Sequence, residues 1–193
     1  MGNQIALFAN PDMLIQKYFP GLSYSKTMSD TQYVISLMCL KEDEGQIIYK
    51  FFPDNSLFHN QPNFMDKMSG IIEKFDLRKH PNILVLKMDK IKDAENKPML
   101  TADGKPMFYA YRQYVYNSLR ERMLNKIPSL VLVEQKWFIF QILCAISQIH
   151  NEEVIHGDIK PDNFLVTSYN HVFLTDMVCY KPTFVKGDDL KRY

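Results

Sequence analysis

Residues 154–166 read Val-Ile-His-Gly-Asp-Ile-Lys-Pro-Asp-Asn-Phe-Leu-Val, and the fold is decided by how this stretch is read. A polar interval carrying His156, Asp158, Lys160 and Asn163 lies between apolar flanks, Val154-Ile155 before it and Phe164-Leu165-Val166 after it. The interval reads as a loop that hands over to a short strand at Phe164–Thr167, a turn at Ser168-Tyr169-Asn170 and a second strand at Val172–Thr175. On its other side, Glu134–Asn151 is the clearest helix in the chain. Ile139, Ile142, Leu143, Ile146 and Ile149 follow the i, i+3, i+4, i+7 pattern of a stripe that packs into a core.

Further upstream the character changes from helix to strand at about Arg112. Asn117–Asn125 reads as a second helix. Tyr33–Met38 and Gln46–Phe52 read as strands joined by the polar turn Lys41–Gly45. Met65–Leu77 has helical spacing, with Met65, Met68, Ile72 and Phe75 on one side, and stops before His80-Pro81. Ile83–Leu86 and Met107–Tyr111 read as a paired set of strands, separated by a polar insertion that ends in the hairpin signal Asp103-Gly104. Residues 1–22 form a short apolar leader, with a helix start at Pro11-Asp12 and a breaker at Pro20-Gly21. A strand-rich first part and a helix-rich second part imply an α+β fold with a cleft at the join. The division expected is a leader over 1–22, a strand-rich lobe over 23–112 and a partial helical lobe over 113–193.

Composition narrows the function classes. Of the 193 residues, 46% are hydrophobic and 13% aromatic, which is enough for a packed core and argues against disorder. The 23 basic and 22 acidic side chains nearly cancel, so the chain lacks the basic excess of a nucleic-acid binder. Cys39, Cys144 and Cys179 form no C-x-x-C pair and suit a reducing compartment. The five histidines lack zinc-ligand spacing. No run reaches the ~18 apolar residues of a membrane span. The start, Met1-Gly2-Asn3-Gln4-Ile5-Ala6, resembles an N-myristoylation signature with Ala6 where a hydroxyl residue is usual. One acyl chain alone binds a membrane marginally.

The loop at 154–163 carries the groups that phosphoryl transfer requires. These are a carboxylate beside the attacking hydroxyl, a cation on the transferred group and oxygen ligands for magnesium. Asp158, Lys160 and Asn163 stand in those places in order, while His156 braces the loop rather than reacting. Asp176, in Leu174-Thr175-Asp176-Met177-Val178, follows Asn163 by thirteen residues and two short strands. Lys50, in Ile47-Ile48-Tyr49-Lys50, ends a strand segment from which it could reach the α/β-phosphates. A lone strand lysine is ordinarily an edge charge and a lone aspartate after a strand a turn former. Together with the loop at this spacing they resemble the protein-kinase set H-R-D-x-x-x-x-N, D-F-G and V-A-I-K. The resemblance implies a two-lobed protein-kinase-like fold, with Mg2+ and ATP or GTP as cofactors and Asn163 and Asp176 as the metal ligands.

Several strings resemble one branch in particular. Glu134–Leu143, His156-Gly157-Asp158-Ile159-Lys160, Leu174-Thr175-Asp176, Lys181-Pro182-Thr183, Arg112–Val115 and Met1–Gln4 are similar to the kinase-like regulatory subunits of class III phosphatidylinositol 3-kinase complexes, the vacuolar protein-sorting kinases. The resemblance runs from Met1 to about Pro182 and is weakest between Gly45 and Lys105. It implies a myristoylated Gly2 and the lipid kinase's catalytic subunit as partner. It also implies work at endosomal, vacuolar and autophagic membranes.

The machinery departs from the kinase pattern at four points. Gly157 replaces the arginine that pairs with a phosphorylated activation segment, which deletes a regulatory contact and no catalytic group. Met28–Tyr33 contains no glycine where a phosphate-covering G-x-G-x-x-G belongs. Ile48 stands at the small-residue place two before Lys50. Met177-Val178 replaces Phe-Gly after Asp176. The helix glutamate expected to pair with Lys50 is Glu73, for which a solvated helix charge is the equal alternative. Three readings follow. The first is an active serine/threonine kinase and the second a pseudokinase scaffold that binds nucleotide weakly or not at all. The weakest is a small-molecule transferase on the same fold.

Overall fold

The computed structural model describes residues 10–30, 34–52, 64–100, 104, 106–124 and 129–177. Gly2, Thr31–Tyr33, Asp103, Val178, Cys179 and Lys181–Thr183 lie outside them. The chain divides into two compact units, Met1–Pro62 with Leu86–Tyr114, and Asn63–Val85 with Val115–Tyr193.

The first unit begins with helix α1 (Pro11–Tyr18), capped by Asn10, whose side chain accepts from the Met13 N–H at 3.2 Å. Proline at the first helical position loses no intrahelical bond there, and Gly21, at φ +86, turns the chain into the sheet. Strands β1 (Leu22–Asp30), β2 (Ile35–Lys41), β3 (Gly45–Phe51), β4 (Lys87–Lys90) and β5 (Phe108–Gln113) form an antiparallel sheet in the order β1-β2-β3-β5-β4. The β2–β3 turn closes where Lys41 pairs with Gly45, at φ +76, and Lys41 bonds Glu44. Leu14 and Ile15 from α1 and Phe19 just after it pack against Leu37, Ile47, Tyr49 and Phe51, so this segment completes the core.

One sequence reading changes here. The partner of β5 is Lys87–Lys90, not Ile83–Leu86, because Ile83 instead bridges Leu174 in parallel in the second unit. The polar edge strand β1 lacks an apolar alternation: most of its residues are exposed, and its pairing with β2 carries two irregularities.

The second unit holds α2 (Phe64–Lys74), β6 (Asn117–Ser118), α3 (Leu119–Leu124), α4 (Leu132–Asn151), a 3-10 turn (Pro161–Asn163), β7 (Phe164–Val166) and β8 (Val172–Leu174). Helix α2 ends three residues short of the expected Leu77, and Phe75 just beyond it is buried. The stretch expected to be helical from Asn117 opens as a strand and turns helical at Leu119. Strands β6, β7 and β8 form an antiparallel sheet in that order.

The stripe expected on α4 is rotated. Phe138, Gln141, Ala145 and Ile149 face the core, while Ile139 and Leu143 are 58% and 60% exposed. A helix apolar on both faces hides its true inner face from periodicity, and here that face includes a glutamine. Val131, Leu132, Val133, Trp137 and Phe140 are exposed as well. A cavity of about 480 Å³ between α3 and α4 is lined by residues including Leu119, Leu130, Phe138 and Ile142. No helix among the described residues is long and apolar enough to cross a membrane.

Candidate active site

The loop between α4 and β7 is held by hydrogen bonds that reach its own backbone and the end of β8. His156 is 2% exposed, and its Nδ1 accepts from the Asp158 N–H at 3.1 Å. Its Nε2 therefore carries the proton and donates to the Thr175 carbonyl at 2.8 Å. The imidazole thus ties the loop to the residue before Asp176 and is committed at both nitrogens, which is a bracing role. Gly157 has φ +74, in the left-handed region that glycine enters without steric cost.

Asp158, Lys160 and Asn163 are brought together. Asn163 Nδ2 donates to the Asp158 carbonyl at 2.7 Å and to Asp158 Oδ2 at 3.0 Å. Lys160 Nζ lies 2.9 Å from the same Oδ2, an ion pair with the carboxylate. The carboxylate is thereby oriented by two donors. Two oxygens flank Nδ2, which fixes the amide's orientation and makes Oδ1 the end that could hold a cation. The Thr175 N–H donates to the Asn163 carbonyl at 3.0 Å, so the backbones beside the two expected metal ligands are bonded to each other.

Asp176 follows directly, at φ +63, with Oδ1 buried, and Met177 packs into the second unit's core. Magnesium takes hard oxygen ligands and is commonly held by one or two carboxylates with the substrate's phosphates, so an amide oxygen and a carboxylate fit that ion. Among the described residues no three histidine, cysteine or acidic side chains cluster.

The two other candidates stand on separate elements. Lys50 lies on β3 of the first unit, paired across the sheet with Ser36 and Ala110. Ile48, two before it, is buried. Glu73 lies on α2 of the second unit and accepts from Ser69 Oγ at 3.1 Å.

The sequence reading missed the groups that hold β8 from outside. Thr175 Oγ1 donates to the Leu84 carbonyl at 2.9 Å, and Asn82 Nδ2 to the Val172 carbonyl at 2.9 Å. Asn82 also accepts from Val172's strand at its carbonyl (Leu174 N–H, 2.8 Å), and Leu84 N–H returns a bond to the Leu174 carbonyl at 3.0 Å. His80, buried, accepts from the Asp76 N–H at Nδ1 and meets Glu152 at 3.2 Å through Nε2. The only local signal was that His80-Pro81-Asn82 puts two polar side chains beside the apolar run at Ile83.

The family model described as the protein kinase domain matches residues 38–179. The serine/threonine-protein kinase VPS15 of Arabidopsis thaliana is 31% identical over 158 residues, covering 82% of this chain and 10% of that protein. The VPS15 kinase of Saccharomyces cerevisiae is 29% identical over 195 residues, covering 98% of this chain and 12% of its own length. The probable vps15 kinase of Dictyostelium discoideum is 27% identical over 189 residues, covering 98% and 9%. The chain spans about a tenth of the length of these curated relatives. With 142 of its 193 residues inside the family model and the loop residues assembled as described, the chain belongs to the protein kinase domain family.

Proposed function

We propose that this chain is the kinase domain region of a regulatory subunit of a class III phosphatidylinositol 3-kinase complex, and that it transfers a phosphoryl group from ATP, or GTP, to a serine or threonine of a protein. The observation that carries the catalytic part is the Asp158 carboxylate, held by Asn163 Nδ2 and Lys160 Nζ on one oxygen. A carboxylate so oriented accepts the proton of an incoming hydroxyl, and Lys160 beside it supplies positive charge where negative charge grows. Asn163 Oδ1 and the Asp176 carboxylate would hold magnesium, which when bound neutralises charge on the phosphates. Lys50 would meet the α/β-phosphates, and Glu73 is either its partner or a solvated helix charge.

The VPS15 names of the relatives support the sorting assignment. The resemblance of Met1–Gln4 to an acylation signature supports a myristoyl group on Gly2 and a peripheral place on endosomal, vacuolar or autophagic membranes. The lipid kinase's catalytic subunit is the partner this reading assigns.

The test is magnesium-dependent phosphate transfer by the full-length protein against Asp158→Asn. Loss of turnover in the variant is expected, on the order of 100-fold or more for removal of a general base. Equal turnover in both proteins would sink the catalytic reading. A thermal shift with Mg·ATP or Mg·GTP but no turnover would leave the nucleotide-binding scaffold. A ligand at 100 times its dissociation constant raises stability by ~2.7 kcal/mol, so binding is readable that way.

A further inference from the structure

The hairpin β7–β8 carries both proposed magnesium ligands. Asn163 immediately precedes β7, and Asp176 follows Leu174, the last residue of β8, by two positions. The pairing Phe164↔Leu174, Leu165↔Phe173, Val166↔Val172 therefore sets how far apart along the sheet the two ligands fall. A slip of one residue would carry Asp176 along the strand and turn its side chain to the other face.

Three residue pairs are a short register to hold. The connection Ser168–Asn170 closes with Asn170 N–H donating to the Thr167 carbonyl, and Asn170 sits at φ +62, where glycine would be less costly. The turn is also closed by the Thr167 N–H to the His171 carbonyl at 2.9 Å and by the His171 N–H to Thr167 Oγ1 at 3.0 Å.

Helix α4 adds a further grip on this turn from the helix side. Gln141 is 2% exposed and uses both ends of its carboxamide: Nε2 donates to the Asn170 carbonyl at 2.8 Å, and Oε1 accepts from the Val172 N–H at 2.9 Å. About two helical turns earlier, Glu134 Oε1 accepts from Asn170 Nδ2 at 3.1 Å. In the slipped register the carboxamide would face neither group with the right complement, and a buried amide without partners is strongly disfavoured. If Gln141 merely filled space, an apolar side chain of its length would serve, and its neighbours on the inner stripe, Phe138 and Ala145, are apolar.

We propose that Gln141 is a positioning residue whose buried carboxamide fixes the β7–β8 register and, through it, the placement of Asn163 and Asp176 for a divalent cation. The inference rests on the reading of those two residues as magnesium ligands. Gln141 touches neither substrate nor metal in this scheme.

The test compares the full chain with Gln141→Met, which keeps length and volume but removes both hydrogen bonds, and Gln141→Glu, which keeps the acceptor for the Val172 N–H. Two readouts are taken. One is hydrogen exchange over residues 170–174. The other is the Mn2+ concentration that half-saturates nucleotide-dependent cation binding, followed by the electron spin resonance of free Mn2+. Gln141→Met is expected to exchange faster over 170–174 and to need roughly 10-fold more Mn2+ or above, the usual loss when a group supporting a metal ligand is removed. Gln141→Glu is expected to fall between it and the parent. A lowered melting temperature with unchanged Mn2+ requirement shows a structural role only and overturns the proposal.

If Gln141→Met does not fold, Glu134→Ala removes the neighbouring grip on Asn170 and leaves the core filled. A smaller shift in the same direction is then expected, and no shift overturns the proposal. If the parent chain binds no Mn2+ with nucleotide, the magnesium reading is what fails. The register role is then decided by exchange alone, and unchanged exchange over 170–174 in Gln141→Met overturns it.

Discussion

In the first unit, Tyr49 stacks against Phe51 and Tyr111 with interplanar angles of 17° and 15°, and Phe19 meets Tyr109 edge-on at 4.9 Å between centroids. The second also has an apolar core, with Phe138, Phe164, Val172 and Leu174 among its members, but buried beside it are the polar side chains of Asn82, Gln141, His156, Asn163 and Thr175, each hydrogen-bonded to backbone. The first core is held by shape and apolar area, which are tolerant of small displacements. The second adds to its apolar packing directional bonds, which fix where a backbone atom lies. If Asn163, Asp176 and Asp158 act as proposed, directional bonds of this kind are what would hold them to within a fraction of an ångström. A sheet that presents one lysine from a strand can be built from the first kind of core.

The largest effect expected tests the apolar side of this contrast. Phe51 is fully buried among Phe19, Tyr49 and Tyr109. Phe51→Ala should cost about 3–5 kcal/mol of stability, and Phe51→Leu should recover more than half of it, since volume is what the site requires. Denaturant melts of the three proteins read this directly. If Phe51→Leu is as damaging as alanine, the first core depends on ring geometry and the comparison fails on that side.

The polar side predicts the opposite response to shape. Asn82 gives Nδ2 to the Val172 carbonyl and exchanges two bonds with the Gln148 side chain. Asn82→Ala should cost about 1–3 kcal/mol, because a buried carbonyl loses its donor. Asn82→Leu, which keeps the branched four-atom framework of asparagine without its polar groups, should recover nothing. Recovery by leucine in the same melts would show that packing, not hydrogen bonding, holds β8.

The two cores were unequally legible in the sequence for the same physical reason. Asp158, Lys160 and Asn163 fall within six residues, so their polar run between apolar flanks was visible, as was the Lys41–Gly45 turn between two strands. Gln141 was not visible. It sits in a helix whose outer face is also apolar, and periodicity selected Ile139 and Leu143, which the structure exposes. Ile83–Leu86 looked like a strand beside Met107–Tyr111 because it is an apolar run. Its Ile83 instead joins Leu174, ninety-one residues away, a pairing no local pattern encodes. Thr175 and Asn82 act through backbone atoms of distant segments, so residue type alone gave them no role.

The smallest effect expected comes from titration and bears on the first unit alone. Burial pushes the Cys39 thiol up to about 12. Tyr109 is also pushed up to about 12, by burial first and then by the charge of Asp89, and burial raises Tyr49 further still. All three are acids that the folded state keeps neutral. Their contribution to stability is therefore complete below their unfolded values, about 8.5–9 for cysteine and about 10 for tyrosine, and is lost as pH rises toward the folded ones. Cys39 should begin this loss first, amounting to about 1 kcal/mol by pH ~10, with the tyrosines following above it. Denaturant melts between neutral pH and pH ~10 should thus slope downward in the parent chain and flatten in Cys39→Ala, while Tyr109→Phe should alter only the more alkaline part. An unchanged slope in Cys39→Ala would mean that the thiol ionises in the folded sheet, and that the apolar core around β2 admits charge more readily than its packing implies.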